Sequence, residues 1–253
     1  SGKCKFTYPG GCEIGARPIN MHLDAFEQLG VTIKEDMGEI ECKADKLVGT
    51  EIVLDFPSVG ATENIMLASC LAEGVTHIKN VAREPEIKCL QDFLNSMGAD
   101  IVGAGSNSIM IKGVKSLHAS SFKVIPDRIE TGTYLLMAMA TRGEILVKDV
   151  VPEHVESLIH KMKRMNCKVL VSQDSIFAKY NKYLKAVDVK TMPYPGFPTD
   201  LQSQFVTTMT LAKGTSIVVE NIFENRFKYV NELLRMGANI TIEGKTAIIQ
   251  GVD

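Results

Sequence analysis

Asn95-Ser96-Met97-Gly98-Ala99-Asp100-Ile101 and Leu234-Arg235-Met236-Gly237-Ala238-Asn239-Ile240 follow one pattern. Each reads as a helix end, a small turn residue and the start of a strand. The pattern also occurs at Glu27-Gln28-Leu29-Gly30-Val31-Thr32-Ile33 and Arg164-Met165-Asn166-Cys167-Lys168-Val169. The turn positions 30, 98, 166 and 237 are separated by 68, 68 and 71 residues. A second marker, Leu71-Ala72-Glu73-Gly74, Ala140-Thr141-Arg142-Gly143 and Leu211-Ala212-Lys213-Gly214, has glycines 69 and 71 apart. Two markers keeping one period indicate an internal repeat, and such a repeat decides the architecture.

Working outward from Gly98, the unit is predicted as βαβαββ. Ile52-Val53-Leu54 is a short strand. Residues from about Thr62 to Ala72 form a helix apolar nearly all round, which implies burial. Gly74 stands where a helix C-cap belongs, and Thr76 to Lys79 give a second strand. Pro85 opens an amphipathic helix reaching about Met97. The strands Asp100 to Val102 and Ser108 to Ile111 close the unit across a Gly/Ser/Asn turn. The predicted fold is α/β (α+β): three complete units and a half, divided into domains 1–122 and 123–253. The first copy starts half-way through its unit, so the sequence is expected to be an excised or truncated piece that lacks parts of its own full-length chain.

The 253 residues carry 28 Lys and Arg against 30 Asp and Glu, and aromatic residues form 6% with no Trp. A net charge of −2 with no basic–aromatic interleaving excludes a general affinity for nucleic acid. No apolar run has the length of a membrane helix. The six cysteines are scattered without paired spacing, which suits a reducing, cytoplasmic setting. They form no metal-ligand cluster with the histidines, so no metal is expected.

The chemistry concentrates in a few stretches. Tyr8-Pro9-Gly10-Gly11-Cys12-Glu13-Ile14-Gly15-Ala16-Arg17-Pro18 is a glycine- and proline-held loop bearing Cys12, with Arg17 five residues on. A cation near a thiol favours the reactive thiolate. Ser58, Asp127 and Asp200 each fall at the start of a unit's buried helix, where positive helix ends suit an anionic ligand as well as simple caps. Thr199 is a further cap candidate, in the Thr199-Asp200-Leu201-Gln202 run. The third copy adds the long, proline-rich lead-in Thr191 to Pro198. It also places Arg226 near the start of its second helix, an unfavourable place for a cation unless an anion meets it.

Together these stretches resemble the bacterial UDP-N-acetylglucosamine enolpyruvyl transferases. The matches are Pro9-Gly10-Gly11-Cys12 with Ile14-Gly15-Ala16-Arg17-Pro18, Ser58-Val59-Gly60-Ala61-Thr62 and Ala82-Arg83-Glu84-Pro85-Glu86. Pro126-Asp127-Arg128-Ile129-Glu130-Thr131-Gly132, Phe197-Pro198-Thr199-Asp200 and Phe223-Glu224-Asn225-Arg226-Phe227 follow in family order. The resemblance implies the first committed step of peptidoglycan synthesis. The enolpyruvyl group of phosphoenolpyruvate passes to the 3′-hydroxyl of UDP-N-acetylglucosamine by addition and elimination, phosphate is released, and no cofactor takes part. It implies Cys12 as general acid and fosfomycin-alkylated nucleophile, Asp200 as the group taking the sugar hydroxyl proton, Arg17 on phosphate and Arg226 beside the reacting groups. Arg17, Pro18, Ile19, Asn20 and Met21, with Ser58, Val59, Gly60, Thr199, Asp200 and Ile222, are implied to hold the UDP-sugar.

The sequence departs from the family in places. Asn20 and Met21 stand where some members have Asp and Leu, and Phe56-Pro57 where others have Lys-Val. The family's N-terminal Lys-Asn pair, an Arg before the loop, and a C-terminal Asp-Leu and Arg have no counterpart here, so this chain alone is expected to be inactive. The alternatives are a shikimate-pathway enolpyruvyl transferase, which carries no such Cys12 loop, a non-catalytic binding fragment, and a thiol hydrolase pairing Cys12 with His22.

Overall fold

The computed structural model describes residues 2–10, 15 and 18–252. Left-handed backbone marks the predicted turns: Gly30, Gly98 and Gly237 all take φ of 96°, and Asn166 takes 69°. Among side-chain-bearing residues, Asn is one of the few that tolerates this region, which accounts for the substitution in that copy. The second marker is less uniform. Gly74 and Gly214 are left-handed, whereas in the middle copy the turn is made by Arg142, one residue before Gly143.

The chain forms two compact units. In the first, β1 (Lys3–Thr7), α1 (Asn20–Gln28), β2 (Thr32–Asp36) and β3 (Glu39–Lys43) make an antiparallel sheet of order β1-β3-β2 with one helix. Its register sets Cys4 directly opposite Cys42, a pairing that no sequence spacing suggested. A full βαβαββ copy follows, as β4 (Glu51–Val53), α2 (Val59–Ser69), β5 (Val75–Lys79), α3 (Pro85–Ser96), β6 (Asp100–Val102) and β7 (Ser108–Lys112). The sheet order is β4-β5-β7-β6. Only β4 and β5 are parallel, joined across α2, and the close of the sheet is antiparallel.

In the second unit, α4 (Arg128–Ala140), β8 (Glu144–Lys148), α5 (Glu156–Arg164), β9 (Lys168–Val171) and β10 (Ser175–Lys179) give a sheet of order β8-β10-β9. The lead-in to α4, residues 116–127, forms no ladder. The pair β11 (Leu184–Lys185) and β12 (Val189–Lys190) leads to a 3-10 turn at Thr199–Leu201 and then α6 (Gln202–Met209). The chain ends with β13 (Ala212–Lys213), β14 (Thr215–Val219), α7 (Val230–Arg235), β15 (Asn239–Glu243) and β16 (Thr246–Gln250). Strand order β12-β14-β16-β15, with β12 and β14 parallel, reproduces the β4-β5-β7-β6 sheet. Mixed helix and strand in repeated βαβαββ units make this an α+β fold.

Two readings of the sequence need correcting. Helix α2 begins at Val59 and ends at Ser69, so Gly74 is no C-cap but the turn into β5. The start moves forward because Ser58 caps the helix, its Oγ accepting from Ala61 N–H at 3.3 Å. Burial of the apolar helices is also uneven. Helix α6 is covered on every side, but Leu67 on α2 and Met137 on α4 are each about half exposed, at 50% and 49%. A helix that is apolar all round is buried only when neighbours stand on every side. Helix α2 packs against α1, α3 and β7, leaving Leu67 uncovered. Among the described residues no helix is long and apolar enough to cross a membrane.

The turn at Gly237 has open space around it, so a side chain there meets strain in the backbone alone. Gly237→Val is expected to cost about 1–2 kcal/mol, lowering Tm by roughly 2–8 °C, with Gly237→Asn in between. Calorimetric melts of the three proteins check this.

Candidate functional site

The predicted residues fall into two clusters, one in each unit. Cys12 and Arg17 lie outside the described residues. In the first unit the entry to α1, Pro18-Ile19-Asn20-Met21, is half-exposed to exposed. Helix α1 packs on α2, which brings it beside Ser58, Val59 and Gly60 in the first turn of α2. His22 carries the contact. A Cβ on Gly60 would stand 3.4 Å from His22 Cε1, and His22 Nδ1 lies 2.8 Å from Asn64 Nδ2. Burial holds the His22 imidazole below its ordinary pKa, so it sits here as a neutral packing group. Thr62 closes the helix entry: its hydroxyl donates to Ser58 O at 2.8 Å and accepts from Ala82 N–H at 3.1 Å.

One turn along α2, Glu63 is pushed above the usual carboxylate range, first by burial and then by the charges of Glu86 and Glu84. These last two belong to the Ala82-to-Glu86 stretch quoted above, so the acidic group and the α2 entry form one neighbourhood.

In the second unit the arrangement is tighter. Asp127 caps α4, accepting from Ile129 N–H at 2.7 Å and Glu130 N–H at 3.1 Å. Thr199 does not cap α6. Leu201 stands at the α6 cap position, Thr199–Leu201 is a 3-10 turn, and the Thr199 hydroxyl donates to Glu220 Oε2 at 2.9 Å. Asp200 projects from that turn, and its Oδ1 pairs with Arg226 Nη2 at 2.8 Å. Asp200 is 54% exposed and Arg226 only 15%, with Arg226 lying 5.6 Å from the centre of the Phe223 ring. The anion that meets Arg226 in this structure is therefore Asp200.

Sequence reasoning passed over Glu220. It is 2% exposed, and both its oxygens are engaged. Oε1 accepts from Thr191 Oγ1 at 2.8 Å, Ile222 N–H at 2.8 Å and Phe223 N–H at 3.2 Å, and Oε2 from Thr199 and from Gln202 Nε2 at 3.2 Å. Gln202 in turn accepts from Tyr229 OH at 2.6 Å. Burial, and then the nearby Glu220 charge, push the Tyr229 phenol well above its ordinary pKa. The available signal was positional: a Glu where the other copies carry Asn80 and Asp149. An open cleft of about 750 Å³ elsewhere in this unit, lined by Lys161, Arg164, Asp188 and Tyr194 among others, includes none of the predicted residues.

A sequence profile of EPSP synthase (3-phosphoshikimate 1-carboxyvinyltransferase) matches residues 1–253. The chain belongs to this carboxyvinyltransferase family. It is 56% identical over 252 residues to "UDP-N-acetylglucosamine 1-carboxyvinyltransferase 2" of Caldanaerobacter subterraneus subsp. tengcongensis, covering 99% of this chain and 60% of that protein. Identity to the UDP-N-acetylglucosamine 1-carboxyvinyltransferase of Desulfatibacillum aliphaticivorans is 51%, over 99% of this chain and 60% of that one. This family member thus spans about 60% of the length of these curated relatives. Among solved structures, the enolpyruvyl transferase NikO from Streptomyces tendae superposes with TM-score 0.85 at 22% identity, covering 99% of this chain and 60% of that one. EPSP synthase from Acinetobacter baumannii gives TM-score 0.68 at 19% identity, with 98% and 59% covered. Both likenesses support the enolpyruvyl transferase fold.

The raised Glu63 sets a pH prediction. A carboxyl raised on folding favours the native state while it is protonated, and that stability is lost as pH rises through its folded pKa. Glu63→Gln is therefore expected to raise Tm by roughly 1–3 °C at about pH 8, the gain closing below about pH 4. Thermal melts of both proteins across that range check it.

Proposed function

We propose that the protein this chain represents transfers the enolpyruvyl group of phosphoenolpyruvate to the 3′-hydroxyl of UDP-N-acetylglucosamine, releasing phosphate. The observation that carries the reading is the Asp200–Arg226 pair, built on the Thr199-Asp200 and Phe223-to-Phe227 stretches of a chain 56% identical to a named UDP-N-acetylglucosamine 1-carboxyvinyltransferase. A carboxylate fixed by a guanidinium, and half open to solvent, supports this reading, in which it takes the hydroxyl proton as that oxygen forms its bond to the enolpyruvyl carbon. In this reading Cys12 protonates the methylene carbon, completing a tetrahedral adduct. Loss of a proton from that carbon and departure of phosphate then restore the double bond. Arg17 meets the phosphate, and Arg226 lies where negative charge develops at the sugar oxygen. Pro18, Ile19, Asn20, Met21, Ser58, Val59, Gly60, Thr199 and Ile222 are read as contacts of the UDP-sugar.

The shikimate-pathway alternative is disfavoured by the comparison itself. Relatives above 50% identity carry the UDP-N-acetylglucosamine name, whereas the EPSP synthase structure stands at 19%. A second reading, ligand binding without turnover by this chain alone, is favoured by its spanning about 60% of those relatives' length.

Fosfomycin tests the reading. With UDP-N-acetylglucosamine present, intact-mass and peptide mapping are expected to show one adduct, on Cys12. Burial pushes the Cys42 and Cys70 thiols up and that of Cys167 up to about 12, so these three are expected to stay unmodified in the native chain. Labelling that ignores the sugar nucleotide, or spreads over several thiols, overturns the assignment of Cys12. Release of phosphate from both substrates by this chain alone overturns the claim that it is inactive.

A further inference from the structure

The repeat supplies an internal control for Glu220. The residue after the strand that follows each unit's buried helix is Asn80 after β5, Asp149 after β8 and Glu220 after β14. Asn80 and Asp149 are exposed turn residues with φ of 56° and 55°. Glu220 is buried and turns no corner of that kind. A second position changes in step. Twelve residues before the marker glycines stand Thr62, Thr131 and Gln202. The two threonines donate within their own helix, to Ser58 O and Asp127 O, whereas Gln202 reaches across to Glu220. Only the copy that carries Asp200 and Arg226 has this exchange.

All five partners of Glu220 are donors, a set that an ionised carboxylate satisfies at both oxygens. They come from three places: Thr191 at the end of β12, Thr199 and Gln202 around the 3-10 turn, and the Ile222 and Phe223 amides. Thr199 is the neighbour of Asp200. Phe223 lies against Arg226 through its ring and hangs from Glu220 by its N–H. Both ends of the ion pair are thus suspended from one carboxylate.

We propose that Glu220 is a positioning residue of this cluster: by tying segment 191–202 to the 221–226 turn it sets Asp200, Arg226 and Ile222 against the sugar nucleotide. The proposal rests on the reading of the site given above. Glu220→Gln keeps the shape but turns an NH2 toward donors on one side or the other, leaving at least one of them unpaired.

The test uses the whole chain, with amide hydrogen exchange and calorimetric titration of UDP-N-acetylglucosamine. In Glu220→Gln, exchange at Ile222 and Phe223 is expected to rise, and affinity to fall, by about tenfold or more each. Glu220→Asp, which keeps the charge, is expected to recover at least half of each loss on a logarithmic scale. Should Glu220→Gln not fold, Thr191→Val serves. It touches Glu220 from a buried position that no assigned ligand contact uses, and it is expected to weaken binding about threefold or more. A folded Glu220→Gln with unchanged exchange, or with raised exchange but wild-type affinity, overturns the proposal alone, and so does wild-type affinity in Thr191→Val. A wild-type chain that takes up no sugar nucleotide overturns the reading of the site, and the proposal with it.

Discussion

The close approach of helices α4 and α6 governs the second unit. A Cβ on Gly132 would stand 2.5 Å from Leu201 Cδ1 and 3.1 Å from Leu158 Cδ2, so any side chain there would make these buried leucines shift and loosen the seat of the α6 entry on α4. The contact is fixed by a polar bridge, Gln204 Nε2 donating to Thr133 Oγ1 at 2.9 Å. A βαβαββ unit cannot enclose its own apolar helix, because the sheet covers one side only. Each such helix must borrow a neighbour, and where one face meets none, as at Leu67 on α2, leucine is left uncovered. Leu201 is the last residue of the 3-10 turn that carries Asp200, so the packing contact also sets the position of the proposed base.

A repeated fold offers many equivalent positions, and most are satisfied cheaply. Exposed Asn and Asp make the turn after β5 and β8 for little free energy. Burying a carboxylate at the same position costs several kcal/mol unless it is fully hydrogen-bonded. Five donors answer that cost, and they can do so only by drawing two loops and a helix entry together. The third copy therefore exchanges an inexpensive turn for a rigid one. Buried polar networks of this type raise order locally when every member is satisfied.

What was legible in the sequence was local. Positive φ at residues 30, 98, 166 and 237 follows from glycine and asparagine at a fixed spacing, and the caps at Ser58 and Asp127 from one side chain and the next turn of helix. What escaped depended on distance along the chain. Thr199 has the composition of a cap, yet a 3-10 turn sets it apart from the start of α6, and its hydroxyl goes to a residue 21 positions later. Cys4 faces Cys42 only because β1 returns beside β3. Gly74 fits a C-cap in composition, but the helix it was to close ends at Ser69. Asp200, Thr199 and Arg226 stood out by their places in the repeat, and their roles came from family resemblance. The carboxylate that joins them had no motif to announce it.

This explains why the cluster is robust in one direction and fragile in another. The Asp200–Arg226 bond is half open to water on the Asp200 side, where an ion pair by itself contributes about 1 kcal/mol or less. Such a pair does not hold two loops in place. The order must come from beneath, from Glu220 and the packing of Leu201 on Gly132, and the exposed carboxylate inherits it. In the proposed reaction the base shares its guanidinium partner with the arriving substrate, and it gains from this division. The bond that is exchanged is weak, and the frame that aims it is strong.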